Sequence, residues 1–234
     1  MAGKQRDQPV PASPRGAVTG DDGVSRCPWG QSPPEYRRYH DQEWGRPVGD
    51  EVRTFEKLCL EGFQSGLSWL TILRKRESFR RAFANFDPVV VAGFDEGDVE
   101  RLLNDASIVR HRGKIEAAVT NARAVLALRE EGLLLSGLFW AHEQPPAKAA
   151  PARRGQVAPA PQVLSDLPAA TAGSQALSAE LRRRGFRFVG PTTVYAAMQS
   201  LGIVNDHLSG CDFRAIAEAE RASFARPAQR PGRA

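Results

Sequence analysis

An all-α fold follows from three features of the sequence. Apolar residues recur at helical spacing in one run after another. Cap residues stand at the head of these runs and glycines at their ends. No segment of useful length alternates with a period of two, the pattern of a half-buried strand. Roughly eight or nine helices are predicted, with no internal repeat.

Taken in order, residues 1–24 are rich in Pro, Gly, Ala and charge without a hydrophobic period, and read as a disordered basic extension. Order is expected to begin near Cys27. The run Ser32-Pro33-Pro34-Glu35 is a turn or a helix entry, and Tyr36 and Tyr39 follow three apart on one helical face. Asp50 is an N-cap for a helix to about Glu61 on Val52, Phe55, Leu58 and Cys59. Gly62 and Gly66 interrupt it. Ser68 caps the next helix, with Trp69, Ile72, Phe79 and Phe83 as its buried stripe and Arg74, Lys75, Arg76, Arg80 and Arg81 as its wet face. Asp87-Pro88 places a cap before a proline at the first helical position, opening a short helix through Val91. Further helices are predicted over Asp95–Asn104, Lys114–Arg129 and Leu133–Trp140. Residues 145–162, rich in Pro and Ala, read as a flexible insertion. A helix over Ser174–Arg184 stops at Gly185, and Pro191 opens the next, which Gly202 ends. Residues 213–234 read as a basic tail.

At 234 residues with 41% hydrophobic and 25% charged content, the chain suits a soluble globular protein. No apolar run approaches the ~20 residues of a membrane helix, and no secretory signal is visible. Three scattered cysteines argue for a reducing compartment rather than a disulfide framework. The net charge of +5 comes from the two ends and the insertion, so it is weak support for nucleic-acid binding by the core.

Three constellations carry chemistry. Cys27 and His40 near one end and His207 and Cys211 near the other supply two sulfurs and two imidazoles, the set of a closed tetrahedral zinc site. The plain alternative is a free thiol with two histidines of the polar core. The second constellation, Arg184-Gly185-Phe186-Arg187-Phe188-Val189-Gly190, joins two helices through a glycine-bounded basic turn. It reads either as a helix-hairpin-helix that meets a DNA phosphate or as an ordinary turn with a solvated basic face. A second basic turn, Arg110 to Lys114, is another candidate phosphate site. The third joins Tyr39 and Trp69 to Glu61, a lone carboxylate at the end of an apolar helix. Aromatic faces and a carboxylate suit a planar cation, whereas core packing is the commoner fate of tryptophan. A buried charge is costly without a partner, which sets Glu61 apart.

These stretches resemble the DNA-3-methyladenine glycosylase I family. The resemblance is carried by Arg26-Cys27-Pro28-Trp29, Tyr39-His40-Asp41-Gln42-Glu43-Trp44-Gly45, Leu60-Glu61-Gly62, Gly66-Leu67-Ser68-Trp69, Arg110-His111-Arg112-Gly113-Lys114-Ile115, the glycine hairpin, and Val204-Asn205-Asp206-His207 with Cys211. It implies an all-α helix-hairpin-helix glycosylase domain over 25–212 with structural Zn2+ on Cys27, His40, His207 and Cys211. It further implies a base pocket of Glu61, Tyr39 and Trp69 with Tyr36 nearby, Glu61 being the catalytic candidate. Gly66 and Leu67 become a wedge into the base stack, and Arg184, Gly185, Arg187 and Gly190 a DNA contact. The expected activity is hydrolytic release of 3-methyladenine from double-stranded alkylated DNA, without lyase activity, by a cytoplasmic bacterial monomer associated with the nucleoid. A non-catalytic reader of alkylated DNA is the rival expectation. Asp206 is left between a catalytic and a structural role, and the basic ends are read as electrostatic tethers to DNA.

Overall fold

The computed structural model describes residues 16–143 and 160–230. Its helices are α1 (Pro34–Gln42), α2 (Glu51–Gln64), α3 (Trp69–Ala82), α4 (Pro88–Ala92), α5 (Glu96–Asn104), α6 (Arg112–Glu130), α7 (Leu135–Ala141), α8 (Ala172–Arg183), α9 (Pro191–Ser200) and α10 (Asp212–Ser223). A hairpin of two short antiparallel strands, β1 (Val18–Thr19) and β2 (Ser25–Arg26), precedes them, with Val18 opposite Arg26.

The predicted caps are in place. Asp50, Ser68 and Asp87 accept from the backbone N–H groups of Arg53, Thr71 and Val89, and Asp95 forms a capping box with Asp98. Gly185, at φ 88°, takes the left-handed turn that stops α8. The central element is α2, which buries Phe55, Leu58, Cys59, Leu60 and Phe63 and packs against α3, α6, α7 and α9. Rings from α2, α3 and the following turn form one aromatic block: Phe63 lies 4.6 Å from Phe79, and Phe83 stacks on Phe86 at 5.5 Å.

The structure corrects four sequence expectations. Residues 16–24, read as disordered, carry the hairpin and its turn, held by Arg26, which pairs with Asp22 and Asp41. The stretch read as a basic tail folds into α10 and an ordered run through residue 230. Three of its arginines are engaged internally: Arg214 donates to the carbonyls of Asn205 and His207, and Arg221 and Arg226 pair with Glu143. The predicted wet face of α3 is partly a set of ties, with Arg76 bidentate on Glu43 and Arg80 on Glu56. Finally, α2 runs three residues past Glu61, placing that carboxylate inside the helix. The remainder of the N-terminal extension, most of the 145–162 insertion and residues 231–234 lie outside the described residues.

Candidate functional site

Cys27 precedes a short 3-10 turn, His40 lies on α1, His207 follows α9, and Cys211 caps α10. All four are buried, and one potential ligand atom from each lies within 4.8 Å of the others. Cys27 Sγ is 3.8 Å from His207 Nδ1, and Cys211 Sγ is 3.6 Å from His40 Nε2 and 3.5 Å from His207 Nδ1. Metal bonds of ~2.3 Å to sulfur and ~2.0 Å to nitrogen at tetrahedral angles require donor separations of about 3.6 Å, so the spacing fits. The rear ring nitrogens also fit. The Trp44 carbonyl, 3.2 Å from His207 Nε2, can only accept, so that nitrogen carries the proton and Nδ1 is free. His40 Nδ1 donates to Asp41 at 2.8 Å, leaving Nε2 to face the sulfurs, and Asp41 is anchored by Arg26. The hydrogen bond between the two sulfurs drives the thiols apart in acidity, Cys27 upward and Cys211 downward. The buried cluster could thus hold a metal ion.

One position before His40 on α1, Tyr39 is buried beside Trp69, with the charge of Glu61 acting on its hydroxyl. Its ring centroid is 5.5 Å from that of Trp69. Glu61 is only 6% exposed. Burial pushes its carboxyl up to about 7, against the opposing pull of the Lys57 ammonium. Burial first, then the charges of Glu61 and Glu43, holds the Tyr39 hydroxyl well above the ordinary tyrosine range, so it stays neutral. The indole Nε1 of Trp69 is buried with no hydrogen-bond partner among the described residues. Such an orphan donor is uncommon in folded proteins and points to a missing acceptor. Tyr36 is set back from this group: its hydroxyl accepts from Leu70 N–H at 2.9 Å and braces the start of α3. Trp29 lies between the two regions, its ring 5.0 Å from His40 and 6.3 Å from Tyr39.

The family model for methyladenine glycosylases matches residues 29–215. The chain belongs to the methyladenine glycosylase family. DNA-3-methyladenine glycosylase 1 of Escherichia coli (strain K12) is 47% identical over 190 residues, spanning 80% of this chain and 96% of that protein. A crystal structure of a 3-methyladenine DNA glycosylase I superposes with a TM-score of 0.72 at 45% identity, over 80% of this chain and 98% of that one. A tyrosine-to-phenylalanine variant of such an enzyme in complex with 3-methyladenine matches with a TM-score of 0.71 at 33% identity, covering 81% and 97%.

In this member of the methyladenine glycosylase family the residues expected at a DNA face fall into two groups. Gly66, at φ 80°, makes a turn that a side chain would strain, and Leu67 beside it is exposed. At the glycine hairpin, Gly185 and Arg187 are exposed and Gly190 precedes α9, but Arg184 is committed to Glu131 and Glu180. Arg184 thus joins the C-terminal ends of α6 and α8 in the free protein. In the Arg110–Lys114 turn, Arg110 and His111 are exposed, whereas the other two basic side chains are engaged. Arg112 pairs with Glu96 and Glu100, and Lys114 donates to the carbonyls of Phe63 and Ser65. Asp206 accepts from Tyr195 at 2.5 Å and Gln199 at 2.8 Å, which gives it a structural place under His207.

Several residues of consequence went unread in the sequence. Phe188 is exposed at the hairpin with φ 54°. Asn121 holds that hairpin by exchanging two hydrogen bonds with the Arg187 backbone. Lys57 turns inward and sets its ammonium over the rings of Tyr39 and Trp69. The one sequence signal for it is its place one helical turn before Glu61, on the same face.

Proposed function

We propose that this protein is a DNA-3-methyladenine glycosylase that extrudes the damaged base from alkylated double-stranded DNA and hydrolyses its bond to deoxyribose, leaving an abasic site. The observation that carries this is a buried carboxylate, Glu61, whose charge reaches the Tyr39 hydroxyl, with the Tyr39 ring against that of Trp69 and an indole N–H there without a protein partner, in a chain of this family.

Methylation places positive charge on the ring, so the base is already an activated leaving group. As the glycosidic bond breaks, the base takes the bonding electron pair and leaves neutral. Water adds to the sugar carbon and loses a proton. The pocket's task is recognition of the charged ring: the rings of Tyr39 and Trp69 attract a planar cation, and ionised Glu61 accepts a hydrogen bond from its amino group. A normal base, neutral and still paired, must bear the cost of unstacking without these gains. Leu67 on the Gly66 turn fills the gap in the stack, and backbone N–H groups of the hairpin at Gly185, Arg187 and Gly190 meet a phosphate in the manner of a helix-hairpin-helix. Cys27, His40, His207 and Cys211 hold Zn2+ in a closed structural site that ties the ends of the domain together. The reaction runs without a lyase step, in a cytoplasmic monomer.

The test is mass spectrometry of bases released from methylated duplex DNA, with zinc assayed alongside. Wild type releases 3-methyladenine without borohydride-trappable adducts. Glu61→Gln, with fold and metal content retained, falls by about 10–10²-fold, the worth of one charge-assisted hydrogen bond. Undiminished release by that variant removes Glu61 from the site. Binding of the duplex by wild type without any release makes the protein a reader instead.

A further inference from the structure

Lys57 lies on α2 one turn before Glu61, and its side chain is 11% exposed. Its ammonium sits 4.6 Å over the ring of Tyr39 and 5.7 Å over that of Trp69. These are the faces that a positively charged base would use, and in this structure a cation already stands over them. We propose that Lys57 is a positioning residue: its ammonium, over the two ring faces and one helical turn from Glu61, favours the ionised form of that carboxyl in the free protein and gives way to the positively charged base. This rests on the pocket assignment above.

The charges around Lys57 support the assignment. Tyr39 and Glu43 face it from α1 and the end of that helix, Glu56 and Glu61 from α2, and Arg76 from α3. Glu43 is bidentate on Arg76, at 2.5 and 2.8 Å, and is 4.0 Å from the ammonium. Glu56 is held by Arg80 and Arg53. The two guanidinium-bound carboxylates are thus satisfied without Lys57, and Glu61 has no guanidinium of its own. Lys57 approaches Glu43, already bound by Arg76, at 4.0 Å, and Glu61 is the carboxylate around it that no guanidinium binds. The ammonium is also loosely held, its hydrogen bond to the Tyr39 hydroxyl being long at 3.4 Å. A four-carbon stem on such a tether can swing aside when a second cation arrives. Burial weakens both ionised forms, drawing Lys57 down to about 8 and Glu61 up to about 7, and each charge opposes the shift in the other.

The test follows the Glu61 side-chain carboxyl by carbon-13 NMR across pH in wild type, Lys57→Met and Lys57→Arg, with the pH profile of base release measured in parallel. Lys57→Met is expected to move the Glu61 midpoint upward by about half a unit to one unit, lowering its ionised fraction about three- to tenfold on the acid side. The acid limb of base release moves the same way, and Lys57→Arg restores both. Coincident Glu61 titrations in wild type and Lys57→Met overturn the proposal. Lys57→Gln serves the same comparison if the methionine variant does not fold. Absence of base release by wild type is a failure of the proposed function instead, and the Glu61 titrations still decide the role of Lys57.

Discussion

Two buried polar sites stand one residue apart in this chain, and they are opposites. Around His40 each group has a matched partner: the rear nitrogens of both imidazoles are assigned by Asp41 and the Trp44 carbonyl, and the front atoms converge on one another. Around Tyr39 the groups are left over: an indole N–H without an acceptor and a carboxylate without a guanidinium. A fully matched polar cluster stabilises the fold. An unmatched one is tolerated at a cost, and that cost is recovered when a ligand completes it.

The largest effect expected from breaking the contrast is at the matched site. Cys211→Ser, or metal removal by a chelator, should lower stability by about 3–5 kcal/mol, read as a fall of about 10 °C in Tm. The loss should concentrate in the hairpin and α10, which hydrogen exchange would map, because the main core around α2 does not include the cluster. Uniform loss of protection would show that the cluster and core unfold as one unit.

At the unmatched site the sign reverses. The folded carboxyl of Glu61 titrates near 7 against an ordinary value of 4.5. Between these values the folded chain holds a proton that the unfolded chain has lost, so stability falls as pH rises through that window. Glu61→Gln removes the penalty. It should be more stable than wild type at about pH 8, by up to about 3 kcal/mol, and should have no such advantage at about pH 4, even though it releases base poorly. Equal denaturation midpoints at both pH values would show that Glu61 has a partner in solution.

Trp69→Phe is the smallest and sharpest test. It deletes an N–H that bonds to no protein group among the described residues, so Tm should be little changed. Affinity for free 3-methyladenine should fall about fivefold, the worth of one neutral hydrogen bond. Unchanged affinity in a calorimetric titration would mean that the indole N–H is not a ligand donor.

What could be read in the sequence follows the range of the interaction. Caps at Asp50, Ser68, Asp87 and Asp95 are legible because an N-cap is decided within four residues. The family motifs exposed the cluster and the pocket through residue type and order. Segments fixed by distant partners were missed. In α10 the fully buried side chain is Ala217, and the helix is placed by Asp212 on Ser25 N–H and by Glu220 on Arg46. The hairpin depends on Arg26 reaching Asp41. A lysine on a helix reads as wet, and nothing local reveals that Lys114 turns inward.

The inward turn of Lys114 gives α6 a second office. At its first turn Lys114 grips the carbonyls behind Leu67, and two turns on Asn121 grips the hairpin that carries Phe188. Seven residues of helix, about 10 Å, thus set the jaws of a calliper whose gauge the chain cannot relax without breaking these four hydrogen bonds. On the proposed reading, deformation falls on the duplex: what enters is selected by how readily it opens to that fixed gauge, before any base is inspected.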